Sequence, residues 1–344
     1  MIFYYILTGQ LISVVAAFWM VGTILTALLA YIILEVTNGS WRLLACLSSF
    51  PAFLGLFMAL YYLPESPLFL QRKRRFIQCV VALKIMLGKD ADIHEDMISF
   101  EDEGLRISSF KSENISDVTS SSSTSFTCCP NAFVVLVNAL WKWLTVELPT
   151  SPLWRDTSIR SSLALVGSIW FLLSFGSYGI TTWISQLFDD IGITDVYLAS
   201  LIVSLATLPG NIVAVVYIDR IGRRPLLIYG MMLSALVAGG LPFGEKYPTL
   251  VVSCAALFNA FSIVGWNALD CISVEYFPIH IRTSAMGVLA SLGRLGAIAS
   301  QFVNGSLETN IALLFFVTSG CMFIGGGVGF YLDVDKDLVS DGSL

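Results

Sequence analysis

The stretch "LPGNIVAVVYIDRIGRRPLL", Leu208–Leu227, decides the fold. It leaves an apolar segment, enters a knot of charge at Asp219, Arg220, Arg223 and Arg224 with Gly222 inside it, and returns to an apolar segment. Such a knot is conspicuous in this chain. Of its 344 residues 56% are hydrophobic and 13% charged, and the mean hydropathy is +0.78. Soluble domains carry about 25% charged residues, so this composition calls for lipid as the solvent. The net charge of -6 argues against nucleic acid as a partner, and the basic residues inform by position rather than by number.

A helix needs roughly 20 apolar residues to cross a bilayer. Eight segments qualify, at about 11–35, 42–63, 161–184, 196–218, 225–243, 249–273, 283–304 and 310–332. Turn or charge signals separate them, among them "PESP" at Pro64, "DRIGRR" at Asp219 and "PFGEKYP" at Pro242. The opening "MIFYYILTGQ" has no basic segment ahead of it and does not read as a cleaved signal.

Lysine and arginine in short loops set orientation. "QRKRR" (Gln71–Arg75), "DRIGRR" and "HIR" (His280–Arg282) are basic, whereas the alternate turns hold only Lys246. The basic turns are therefore expected in the cytoplasm, and eight spans put both ends of the bundle there. Sequons at Asn38 and Asn304 fall on the outer side close to helix ends, where glycosylation stands beside a chance match, and a third at Asn114 falls inside, out of reach of glycosylation.

Residues 68–158 form a polar cytoplasmic loop with a low-complexity run, "SDVTSSSSTS". Near its end Asn131–Leu148 is apolar but interrupted by Lys142, and is read as a surface helix with Trp141 and Trp143 at headgroup level rather than a ninth span. The seven cysteines make no disulfide framework. Cys46, Cys254 and Cys321 read as packing residues, and Cys128 and Cys129, adjacent in a polar segment, offer a juxtamembrane palmitoylation site. His94 and His280 stand apart, and no metal, cofactor or catalytic constellation is present in the pattern.

A "DRxGRR" turn between spans resembles the signature of the major facilitator superfamily of transporters. "PESPLFL" (Pro64–Leu70) is similar to the motif that closes the family's first six-helix half, and "VEYFPIHIRTSAMG" (Val274–Gly287) to a later one. "ALDCISVEYFP", "SFGSYGITTWI" and "FWMVGTILTALLAYIIL" resemble the synaptic-vesicle glycoprotein 2 group and its organic-ion transporter relatives. The resemblance implies an all-α, polytopic membrane bundle with about eight of the family's twelve spans, the first four being absent. It divides the chain into the last two spans of a first half (1–67), the loop (68–158), a six-helix second half (159–334) and a tail (335–344).

The resemblance also implies alternating access between two halves. The turn charges are then a conformational latch: Asp219 against a helix N-terminus, Gly222 letting the turn close, and Arg220, Arg223 or Arg224 paired with Glu275. Glu65 and Arg282 belong to the same inner-side set. The bland alternative is that the arginines only obey the positive-inside rule.

Substrate-cavity candidates are polar groups inside spans. Arg294 sits near a span centre, where an arginine costs at least about 2.5–3.5 kcal/mol and is expected to face a cavity or an acid. Asp270 and Asn267 are spaced i, i+3 on one helix face. Tyr178, Trp183 and Trp266 are candidate lining residues, with belt or packing roles as the alternative. Asn211, beside Pro209-Gly210, marks a bend. The expected function is secondary transport of a small polar or ionic solute, in the plasma membrane or a secretory or synaptic-vesicle membrane, without enzymatic activity or cofactor. Lipid and a subunit completing the missing half are the expected partners. The alternative is a non-transporting membrane interaction protein or a truncated remnant.

Overall fold

Inside lipid every backbone polar group must be satisfied within the chain, so each apolar run closes into a helix. The computed structural model describes residues 8–37, 39–65, 67, 70, 78–79, 81–82, 85, 154, 156–193, 195–244, 247–278, 281–308 and 310–332. The surface helix expected at Asn131–Leu148, Cys128 and Cys129, the sequon asparagines Asn38 and Asn114, Lys246, His280 and the tail from Asp333 lie outside the described residues.

Helix α1 (Thr8–Ala30) is prolonged by a π-helical turn, Tyr31–Val36, and α2 spans Trp41–Tyr62. Then follow α3 (Thr157–Asp190), α4 (Val196–Leu205), α5 (Thr207–Ile221), α6 (Arg223–Gly240), α7 (Pro248–Glu275), α8 (Arg282–Ser306) and α9 (Ile311–Val328). Among the described residues eight stretches are long and apolar enough to cross a membrane, α4 and α5 together making one of them, Val196–Ile221. No strand occurs among the described residues.

Local chemistry sets the helix limits. The Asp156 carboxylate accepts from the amide of Ser158 at 2.9 Å and starts α3, and the Asn310 side chain accepts from Leu313 at 3.1 Å and starts α9. Pro209 has no N–H to offer the Leu205 carbonyl, and the fourth apolar run divides at Ala206 into α4 and α5. Gly222 joins α5 to α6 at φ +98°, a conformation that a side chain would strain. Helix α2 has Trp41 exposed at its start and Tyr61 and Tyr62 exposed at its end, and it buries none of its residues. Its 22 residues give a rise of about 33 Å, close to the hydrocarbon thickness.

The chain divides into two compact units, Met1–Ser48 with Lys142–Leu344, and Ser49–Trp141. In the smaller unit Leu70, Cys79 and Ala82 form a buried cluster, with the Cys79 thiol donating to the Pro67 carbonyl at 3.3 Å. In the larger unit α3 packs along α8 and α9, α6 along α7 and α9, and α5 along α7, while α1 lies against α4, α5 and α7. Leu173, Phe188, Met231, Phe258 and Phe315 are fully buried in its core. Helices α6 and α7 cross where Gly230 meets Gly265; a Cβ on Gly230 would stand 2.7 Å from the Gly265 nitrogen. Small residues let transmembrane backbones approach where no solvent drives them together.

Candidate functional site

Two polar constellations stand out in the larger unit. The first occupies the end of the bundle where α5, α6 and α7 meet. Arg223, the first residue of α6, reaches Asp219 on α5 (Nη2 to Oδ1, 3.2 Å) and Glu275 at the end of α7 (Nε to Oε2, 2.5 Å). The three side chains are 21%, 8% and 17% exposed, so the charges are largely withdrawn from solvent. Neither Asp219 oxygen nor the Arg223 Nε makes an aligned hydrogen bond, so these are close charge contacts rather than a directed network. Asp219 is thus held by Arg223 rather than by α6 amides, and Glu275 selects Arg223 from the three arginines of the turn.

The other members of the turn have different partners. Arg224 donates from Nε to the Gly329 carbonyl at 3.3 Å and from Nη2 to the Phe330 carbonyl, so it caps the end of α9. Helix C-termini leave carbonyls unpaired and favour a cation there. Arg220 is exposed. The Arg282 Nε donates to the Phe277 carbonyl at 3.2 Å, bracing the α7–α8 turn. Glu65 is exposed in the smaller unit, just past the end of α2.

The second constellation runs along α3 where it meets α7 and α8. The Arg294 guanidinium lies 5.6 Å from the centre of the Tyr178 ring, with Nη1 3.4 Å from the phenol oxygen. Tyr178 meets Trp266 edge-on at 6.0 Å, and Trp266 meets Trp170 edge-on at 5.5 Å. Both indoles are tied down: Trp266 donates to the Ser177 hydroxyl at 3.2 Å and Trp170 to the Ser273 hydroxyl at 2.7 Å. The Ser174 hydroxyl, one turn from Tyr178, is buried without a hydrogen-bond partner. Further along, Trp183 donates to the Gln301 side-chain oxygen at 3.1 Å. Among the described residues no carboxylate comes within ion-pair distance of Arg294, whose side chain is exposed.

Asn211 and Asn267 belong to a separate contact. The Asn267 amide donates to the Asn211 oxygen at 3.0 Å across the α5–α7 interface, and both residues are buried. Asp270, one turn on, is half-buried and makes no hydrogen bond or ion pair among the described residues. Tyr178, Trp266 and Arg294 therefore meet, Trp183 joins the same seam through Gln301, and the two asparagines do not.

The profile of the sugar (and other) transporter family matches residues 6–334. The chain belongs to that family. It is a multi-pass, transporter-like membrane protein of the major facilitator type. Among curated proteins it is similar to synaptic vesicle glycoprotein 2B of Rattus norvegicus, 35% identical over 133 residues, which is 39% of this chain and 19% of the relative. Synaptic vesicle glycoprotein 2C of Mus musculus is 33% identical over 145 residues, 42% of this chain and 20% of the relative. Synaptic vesicle glycoprotein 2A of Rattus norvegicus is 40% identical over 103 residues, 30% and 14% respectively. The matched region thus spans about a fifth or less of the length of these relatives.

Gln301, Ser177, Ser273 and Trp170 also belong to this seam, although the sequence alone does not single them out. A signal for Gln301 was present: it follows Arg294 by two turns of α8 and so shares its face. Ser177 and Ser273 carry no such signal, because a serine in an apolar helix usually bonds its own backbone. In the sequence Asn304 stands out only as part of a sequon. It is fully buried, and its amide donates to the Gly179 carbonyl at 3.1 Å.

Proposed function

We propose that the protein acts as a secondary transporter for a small ionic solute carrying an anionic group, with Arg294 as its counter-charge and Tyr178 and Trp266 as its aromatic wall. The observation that carries this reading is the Arg294 guanidinium, stacked on Tyr178 and facing no carboxylate among the described residues. A charge in a membrane span is costly unless something answers it, and a bound anion answers it only while it is present. The Asp219–Arg223–Glu275 cluster then serves as the latch of an alternating-access cycle, since it ties three helices together at one end of the bundle. In this reading residues 159–334 make a six-helix half, the two spans before the loop belong to the other half, and the basic turns face the cytoplasm. The names of the similar proteins favour a vesicle membrane.

The full chain reconstituted in liposomes, probed through tryptophan emission with benzoate, benzylamine and benzyl alcohol, tests this. Saturable quenching by benzoate alone, weakened about tenfold or more by Arg294→Ala as expected for a desolvated charge-assisted contact, is the expected result. Equal quenching by all three, or benzoate binding unchanged in Arg294→Ala, overturns the anion assignment. A second reading, a non-transporting interaction protein, draws on α2, which buries none of its residues. It is favoured if the folded chain binds none of the three.

A further inference from the structure

Tyr178 serves the proposed site only if α3 holds its ring beneath Arg294, and nothing in α3 alone fixes that rotation. Helix α7 holds it through Trp266 to Ser177 and Trp170 to Ser273, and α8 supplies the contacts to the turn of Tyr178 itself. The Gln301 side chain accepts from the Trp183 indole at 3.1 Å, and its Nε2 lies 3.4 Å from the Tyr178 carbonyl, 3.4 Å from the Thr182 hydroxyl and 3.3 Å from the Ser300 hydroxyl. Three residues on, Asn304 donates to the next carbonyl of α3, that of Gly179. Two amides spaced i, i+3 on α8 thus grip successive carbonyls of α3. The approach depends on Gly179: a Cβ there would stand 3.0 Å from the Asn304 Nδ2.

The two amides differ in what they control. Asn304 is fully buried and touches backbone. Gln301 is partly buried and joins three features of α3 at once: the backbone of Tyr178, the hydroxyl of Thr182 and the indole of Trp183. A carboxamide has two N–H donors and one acceptor oxygen. Here the oxygen is spent on Trp183, and the donors are shared over the turn that carries Tyr178. A change at Gln301 is therefore felt at the ring beneath Arg294, two helical turns away along α8.

We infer that Gln301 is a positioning residue of this site: it fixes the 178–183 turn of α3 so that Tyr178 faces Arg294, and it seats Trp183 in the same act. The inference rests on the proposed anion site for its functional meaning, but its geometry can be tested without a ligand. Gln301→Met keeps the length of the side chain and removes every hydrogen bond. Gln301→Glu keeps the acceptor for Trp183 and loses the donors to the 178–182 turn.

The test is near-ultraviolet circular dichroism of the full chain in liposomes, with far-ultraviolet spectra to establish that each variant retains its helix content. The change caused by Gln301→Met is measured in wild-type, Trp183→Phe and Tyr178→Phe backgrounds. Part of the change is expected to persist without Trp183 and to disappear without Tyr178. Gln301→Glu should lose the Tyr178-dependent part and keep the Trp183-dependent part. In the benzoate titration, Gln301→Met should weaken binding by about three- to tenfold, the range for one lost network of neutral hydrogen bonds. If the spectral change vanishes in Trp183→Phe and is undiminished in Tyr178→Phe, Gln301 only seats the indole and the positioning role is overturned. If the Tyr178-dependent change is found but the wild-type chain binds no benzoate, the positioning geometry stands and the anion site fails. A Gln301→Met chain that loses its helix content leaves Gln301→Glu to decide, and a Gln301→Glu spectrum identical to wild type overturns the inference.

Discussion

Replacing Arg223 by alanine removes the one cation within ion-pair distance of Asp219 and Glu275 among the described residues, leaving Arg282 as a more distant positive charge near Glu275, and the two carboxylates have side chains 8% and 17% exposed. Exposed ion pairs contribute roughly 0.2–1 kcal/mol, but breaking a buried pair by deleting one partner costs about 3–5 kcal/mol, because the survivor is left charged and desolvated. Arg223 itself is 21% exposed, so water screens part of the interaction and the lower end of that range, about 3 kcal/mol, is expected. That corresponds to about a hundredfold change in the folding equilibrium. The origin of the loss predicts its cure. Most of it is orphaned charge, so Arg223→Ala combined with Asp219→Asn and Glu275→Gln should be more stable than Arg223→Ala alone. Arg223→Lys, which keeps the charge but cannot fork between two helices, should fall between wild type and Arg223→Ala. Unfolding in mixed detergent micelles with increasing dodecyl sulfate, followed by tryptophan emission, measures the three variants against wild type. An Arg223→Ala midpoint equal to wild type, or a triple variant no more stable than Arg223→Ala, refutes the account of a buried charge cluster.

Two further outcomes follow from packing. Asn304 should carry no glycan in the chain expressed in eukaryotic membranes, since its amide nitrogen is committed to Gly179 and the residue is fully buried; a mass loss at this site on treatment with an endoglycosidase contradicts that. Gly230→Ala should destabilise the bundle by about 1–3 kcal/mol as overpacking does, because its Cβ would meet the Gly265 backbone, whereas Gly320→Ala meets nothing within 4 Å and should be tolerated. Equal melting of the two variants in micelles would rule this out.

Much of the architecture was legible without coordinates because lipid leaves a chain few choices. An apolar run of about 20 residues in a bilayer has to be helical, and the eight runs read from hydropathy coincide with the eight stretches found, to within a few residues except at α3, which extends to Thr157 and Asp190. The Leu208–Leu227 motif likewise placed a tight turn at Gly222, since only a glycine takes φ +98° without strain. Partner choice was not legible. Periodicity could put Asp219, Glu275 and three arginines at one end of a bundle, but which arginine meets Glu275 depends on how α6 packs against α7, whose backbones come close at Gly230 and Gly265. The same holds for α3. Its sequence shows Tyr178 and Trp183 as aromatics in a span, with nothing local to separate a cavity wall from a packing residue. Only the register of α8, which brings Arg294, Gln301 and Asn304 against residues 178–183 of α3, makes one ring a cation platform and the other a hydrogen-bond donor. Hydropathy is a one-dimensional property that solvent reads directly. Side-chain pairing between spans depends on helix rotations that small residues permit and no single segment encodes.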